Sequence, residues 1–140
     1  MVTSGEPTGL EELDEEQCWQ LLQRHPIGRL AVSIRNKPEI FPINYVVDGR
    51  SIVFLTAEGT KFAAAVLGEA VAFEIDAADP LFHTGWSVVV AGRAEEIERL
   101  DDLLAAEDLP LRPWAKGRKT RYVRIVPERV TGRRIVHGAR

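Results

Sequence analysis

Residues 28–35 read Gly28-Arg29-Leu30-Ala31-Val32-Ser33-Ile34-Arg35, with apolar side chains at every second position. Leu30, Val32 and Ile34 point one way and Arg29, Ser33 and Arg35 the other, as in a strand with one face in a core. Asn36-Lys37-Pro38 then turns the chain. Residues 40–47 give a second strand, with Pro42 near its start, which favours an edge or a bulge. Asp48-Gly49 is a strong hairpin signal, and residues 51–56 form a third strand. Successive antiparallel hairpins exclude a doubly wound parallel sheet and make the fold mainly β.

Upstream, Asp14 and Gln17 have the spacing of a capping box for a helix over residues 15–24. Pro26 and Gly28 end that helix. Residues 1–13, with Gly5, Pro7 and Gly9, read as a flexible lead-in. Downstream, a Gly turn leads to a short helix over 61–67, closed by Gly68. A fourth strand covers 70–75, and 76–83 is a loop. A long fifth strand, residues 86–97, bends near Gly92. A helix follows over 98–107, then a Pro-bounded link, then two strands, 121–126 and 130–136, around Pro127. About six strands with two or three short helices suit a small barrel, closed or half-open, which hides its edges. One domain over residues 14–137 is expected.

The chain has 140 residues, 45% apolar and 28% charged, the balance of a globular domain with one core. Cys18 is the single cysteine, so neither an internal disulfide nor a Cys-paired zinc site is available. No apolar run is long enough to span a membrane. The acidic N-terminus lacks the features of a secretory signal, so a cytoplasmic location is expected. The net charge of −3 hides an asymmetry. Residues 1–111 hold 8 Lys+Arg against 20 Asp+Glu; residues 112–140 hold 10 against one. The basic residues are interleaved with strand-like apolar ones. That pattern points to a folded basic face whose partner is a small phosphorylated ligand or the acidic remainder of the same or a second chain. Nucleic-acid binding would rest on this segment alone, against an overall acidic charge.

No dinucleotide fingerprint, phosphate loop or nucleophile elbow is present. In Thr56-Ala57-Glu58-Gly59-Thr60-Lys61, a strand ends at a turn that opens a helix. Lys61 sits in the first helical turn, where the helix dipole disfavours a cation unless an anion is bound nearby. Thr56 and Thr60 add hydroxyls. The bland alternative is an exposed Lys after a turn. Trp86, at the start of the long strand, either stacks on a planar ring or plugs a barrel end. Arg133 and Arg134 either meet an anion or form a solvated face. His25, His83 and His137 read as isolated surface residues.

These segments, in this order, resemble the pyridoxamine 5′-phosphate oxidase-like, FMN-binding split-barrel family, especially its short bacterial branch. The segments are Gly28-Arg29-Leu30-Ala31, Pro42-Ile43-Asn44-Tyr45-Val46-Val47-Asp48, the run from Phe54 to Lys61, Val71-Ala72-Phe73-Glu74-Ile75-Asp76, the run from Gly85 to Ala94, and the terminal Val130-Thr131-Gly132-Arg133-Arg134. The resemblance covers residues 14–136. It implies a six-stranded antiparallel split β-barrel forming a homodimer, with FMN in grooves between the subunits. It implies that Asn44, Tyr45 and Val46 run along the flavin ring, partly through main chain. Residues matching Thr56 and Lys61 would hold the phosphate, and Thr60 beside them is a further cofactor-binding candidate. Trp86 and Ser87 would approach the ring from the other side or the other subunit, and Arg133 would reach across the interface. The implied activity is a flavin-dependent oxidoreductase acting on an unidentified small molecule, with no side chain assigned as catalytic. The alternatives are a non-catalytic flavin- or haem-binding module, and a relative that uses deazaflavin or reduces nitroaromatics. Two positions depart from the family pattern: Leu55 and Pro42 stand where relatives carry Arg. Arg29 is the candidate substitute cation.

Overall fold

The computed structural model describes residues 9–57, 60–111 and 121–136, apart from the Lys61 side chain. Asp14 caps the first helix, α1 (Glu15–Gln23), through a complete capping box with Gln17. Its apolar stripe buries Cys18, Trp19 and Leu22. The chain then runs through β2 (Ile27–Ile34), β3 (Lys37–Asn44), β4 (Val46–Val47) and β5 (Ile52–Thr56). Helix α2 (Lys61–Val66) leads to the long hairpin of β6 (Ala70–Asp79) and β7 (Thr84–Glu96). Helix α3 (Leu100–Glu107) precedes β8 (Arg121–Ile135).

The sheet is antiparallel, in the order β3-β2-β6-β7-β8-β5-β4. Its two ends are β3 and β4, yet Tyr45 alone separates these strands in sequence. The sheet therefore curls until its edges meet at that residue, and diverges elsewhere along β3. This is the split barrel expected. Alternation sets its lining: Leu30 and Val32 of β2, Phe73 and Ile75 of β6, Val88 and Val90 of β7, and Val123 and Ile125 of β8 are all buried.

Eight strands form among the described residues, and they differ from the expected ones at three places. Residues 10–13, expected in the flexible lead-in, form β1 (Leu10–Leu13), which pairs with the end of β8, from Gly132 to Ile135. Its sequence, Leu-Glu-Glu-Leu, lacks alternation. Pairing Glu11 opposite Arg134, 3.0 Å apart as an ion pair, supplies what the pattern omits. Tyr45 breaks the expected second strand into β3 and β4. The two expected terminal strands are one, because Pro127 sits at a register shift opposite Gly92, where a missing N–H breaks no ladder bond. The loop expected over 76–83 is strand as far as Asp79, with the turn confined to Pro80–His83. The bend foreseen at Gly92 is present. A Cβ there would lie 2.2 Å from the Val126 carbonyl oxygen.

Much of the basic face is neutralised within the chain. Arg121 pairs with Glu96 at 2.6 Å and Arg124 with Asp48 at 3.0 Å. The rest of the basic link, residues 112–120, and His137 lie outside the described residues.

Candidate functional site

The residues expected at a flavin fall on three parts of the fold. At the β3–β4 junction, the Tyr45 N–H donates to the Pro26 carbonyl at 3.1 Å. Odd-numbered positions of β3 therefore turn their main-chain groups toward β2. The tight turn agrees: Ile34 pairs with Lys37 across Arg35 and Asn36, both with positive φ. The even positions, Pro38, Ile40, Pro42 and Asn44, face away from β2, and β3 has no other neighbouring strand. Two of these four are prolines, so only Ile40 and Asn44 carry an outward N–H. Such an edge resists extension by another strand. It still offers carbonyls and the Ile40 amide to a ligand with its own donors and acceptors.

Tyr45 itself turns inward. It is buried, its ring meets Phe73 edge-on at 4.7 Å, and its hydroxyl donates to the Leu22 carbonyl at 2.7 Å. Burial raises its pKa, keeping the phenol a neutral donor. Its side chain anchors the end of α1, and only its main chain can meet a ligand. Val46 packs toward Val53 in a second apolar cluster. Beside the junction is a cavity of about 460 Å³ whose walls include Arg24, His25, Pro26, Tyr45 and Val46.

At the β5–α2 turn, Thr56 shares a face with Ile52 and Phe54 and is 1% exposed. Its Oγ1 has no hydrogen-bond partner among the described residues. A buried hydroxyl without a partner is uncommon and costs free energy unless a bound group completes it. This is what a phosphate held there would satisfy. Thr60 is differently placed. Its Oγ1 donates to the Ala57 carbonyl and accepts from the Ala63 N–H, both at 3.0 Å, so its proton is committed to the helix cap. Lys61 opens α2, but its side chain lies outside what is described. Leu55 faces away from Thr56, against the cluster of Val53, Ile97 and Leu111. An Arg at that position would not point where Thr56 points.

On β7, Trp86 and Ser87 are adjacent and so project from opposite faces of the sheet. Trp86 lies opposite Ala77 and Arg134 and tilts against the His25 ring at 5.1 Å. Ser87 lies opposite Asp76 and Arg133 on the outer face. Both cannot present side chains to one side of the same ring. His25, read from the sequence as an isolated surface residue, instead joins Trp86 to the cavity beside Tyr45. A long-range ring contact has no local spacing to reveal it. Arg29, the candidate substitute cation, is engaged: it reaches Glu74 at 3.1 Å and Asp76 at 3.5 Å. Desolvation, with the Asp76 carboxylate beside it, pushes Glu74 up to about 7 against the lowering effect of Arg29.

Among the described residues no helix is long and apolar enough to cross a membrane. No group of three or more His, Cys, Asp or Glu there could hold a metal ion.

The model of the pyridoxamine 5′-phosphate oxidase family matches residues 14–134. The uncharacterized protein Rv0080 of Mycobacterium tuberculosis is 38% identical over 135 residues, covering 92% of this chain and 88% of that one. Among solved structures, the FAD binding protein from Mycobacterium smegmatis is 38% identical, with a TM-score of 0.78 over 89% of this chain and 97% of its own. A conserved protein of unknown function from Corynebacterium diphtheriae is 32% identical, with a TM-score of 0.78 over 91% and 99% of the two chains. Sequence and topology agree along nearly the whole length, and the chain belongs to the pyridoxamine 5′-phosphate oxidase family.

Proposed function

We propose that this chain binds a flavin nucleotide as a homodimer and is a flavin-dependent oxidoreductase acting on a small molecule. The observation that carries the reading is the buried, unpartnered Thr56 hydroxyl at the β5–α2 turn. The name of the M. smegmatis relative, an FAD binding protein alike over nearly its full length, supports it. The unit recognised is riboflavin 5′-phosphate, which FMN supplies alone and FAD carries within it; deazaflavin nucleotides share the phosphate. A bound flavin would supply hydride or electron transfer. The protein's part is to place it. Thr56 and Lys61 hold the phosphate, and the outward main chain of β3 through Asn44 orients the ring.

The dimer is proposed from the outer face of the sheet. Ala31, Ala72 and Ala91 lie opposite one another on β2, β6 and β7, and Ile40 beside them on β3 is 66% exposed. Short side chains across three strands let a second copy approach closely, and Ile40 then leaves water. In that arrangement Ser87, on the same outer face, is the side chain of this pair turned toward the partner, while Trp86 lies on the inner side against His25. A cytoplasmic location is part of the same proposal, supported by the unpaired Cys18 thiol, which suits a reducing compartment.

The test is a visible spectrum of the purified protein, followed by separate FMN and FAD titrations read by flavin fluorescence, with sedimentation to give the mass. The expected result is saturable quenching at one flavin per chain in a dimer. Lys61→Gln should raise the dissociation constant about tenfold or more, the worth of one charge-assisted bond. A colourless monomer that quenches neither flavin would overturn the proposal. A storage or sensing role is the second reading, favoured by Leu55 and Pro42 where relatives carry cations. Steady oxidation of a reduced nicotinamide by the flavin-loaded protein in the presence of an added electron acceptor would exclude it.

A further inference from the structure

The lining of the barrel changes character at the start of β8. Residues 121, 123 and 125 share its inner face, and Val123 and Ile125 are buried in the core. The residue in phase with them is Arg121. It lies directly opposite Thr56, the last residue of β5, so the two side chains stand on one face with their Cβ atoms about 5 Å apart. Glu96, the last residue of β7, lies opposite Val123 and meets the guanidinium, Oε1 to Nη1, at 2.6 Å. The two side chains are 31% and 26% exposed, so the pair has lost much of its water.

A lining position in phase with valine and isoleucine does not call for a cation. A partly desolvated ion pair adds little stability over an apolar pair of the same volume. The placement of the pair gives it another use. Beside it stands the buried Thr56 hydroxyl, which has no hydrogen-bond partner among the described residues. An anion completing that hydroxyl would sit within reach of the facing strand's guanidinium. Five N–H donors in a planar fork let one guanidinium serve a carboxylate and a phosphate oxygen together. Leu55, where relatives carry a cation, faces the opposite side of the sheet, against the Val53 cluster. The charge comes instead from across the ladder.

We propose that Arg121 is a phosphate-binding residue of the flavin site, and that Glu96 positions its guanidinium and tempers its charge. The inference rests on the phosphate position proposed at Thr56 and adds to it a side chain from β8.

The test is a fluorescence titration of the full chain with FMN and with riboflavin, which lacks the phosphate, in phosphate-free buffer. Wild type should bind FMN more tightly than riboflavin. Arg121→Gln should weaken FMN binding about tenfold or more and leave riboflavin binding as it was. Glu96→Gln keeps the guanidinium and removes the competing carboxylate, so it should tighten FMN binding and leave riboflavin unchanged. These opposite signs separate a phosphate contact from a structural ion pair, whose loss would move both ligands together or neither. Thermal unfolding without flavin shows that each variant folds; should Arg121→Gln not fold, Glu96→Gln decides alone. An unchanged ratio of FMN to riboflavin affinity in Arg121→Gln, or weaker FMN binding in Glu96→Gln, would overturn the proposal. Wild type with no preference for FMN would overturn the phosphate position itself, a failure visible before any variant is made.

Discussion

Thr56→Val separates two roles for one hydroxyl by the sign of their effects. Thr56 is 1% exposed and its Oγ1 has no partner among the described residues. A desolvated hydroxyl left unpaired costs about 1–3 kcal/mol, whereas replacing it by an apolar group of the same shape is neutral or favourable. Valine has that shape. The flavin-free variant should therefore unfold in urea at the wild-type midpoint or slightly above it. Flavin binding should change in the opposite direction. A hydroxyl donating to a phosphate oxygen makes a charge-assisted bond worth about 1.5–3 kcal/mol, so its loss should raise the flavin dissociation constant by roughly 10- to 150-fold. Equilibrium urea denaturation and flavin fluorescence titration on the same preparation give both numbers. A variant that is clearly destabilised while binding flavin like wild type would refute the reasoning, because the hydroxyl would then be serving the fold.

Tyr45→Phe should do the reverse: it strands the buried Leu22 carbonyl, costs about 1–3 kcal/mol and lowers the melting temperature by several degrees, with flavin affinity unchanged. Gly92→Ala should destabilise by more than 2 kcal/mol in urea, since its Cβ meets the Val126 main chain at 2.2 Å and neither strand can retreat without breaking the β7–β8 register. Glu74 makes stability depend on pH. Its folded pKa, about 7, lies above the ordinary carboxyl value, so the folded state holds the proton more tightly. Its contribution is full below the unfolded pKa and declines as pH rises toward and through about 7. The urea midpoint of wild type should fall across that interval, and Glu74→Gln should remove this part of the slope.

What the sequence made legible follows from range. The alternation of Leu30, Val32 and Ile34, the capping box of Asp14 and Gln17, and the turn at Asp48-Gly49 are local, and each appears where its spacing placed it. The bend at Gly92 was legible because a glycine inside a strand has few other uses. What stayed hidden depends on partners far along the chain. β1 exists because Arg134 lies 123 residues beyond Glu11. Pro127 reads as a break until Gly92 is placed opposite it. For the candidate site, the order of strand, turn and helix singles out Thr56 and Lys61, and of these the structure describes Thr56 as buried with an unpartnered hydroxyl. Tyr45 was assigned to the ring, but a buried carbonyl on α1 claims its side chain, and no pattern around residue 45 announces Leu22. Trp86 and Ser87 are neighbours in sequence and therefore opposites in a strand, a consequence of period two that the motif alone obscures.

β8 seals three seams at once, bonding β7 along its length, β5 at its start and β1 at its end. It is also synthesised after every other described element. While the ribosome still holds that segment, β5 lacks its principal neighbour, β1 has none, and the apolar lining of β7 lies open on one side. The barrel must therefore close late, by pairings that join residues as distant as Leu10 and Ile135. Non-local closure of this kind is slow. During synthesis the protein passes through a stage in which its valine-rich inner strands need shielding from other nascent chains.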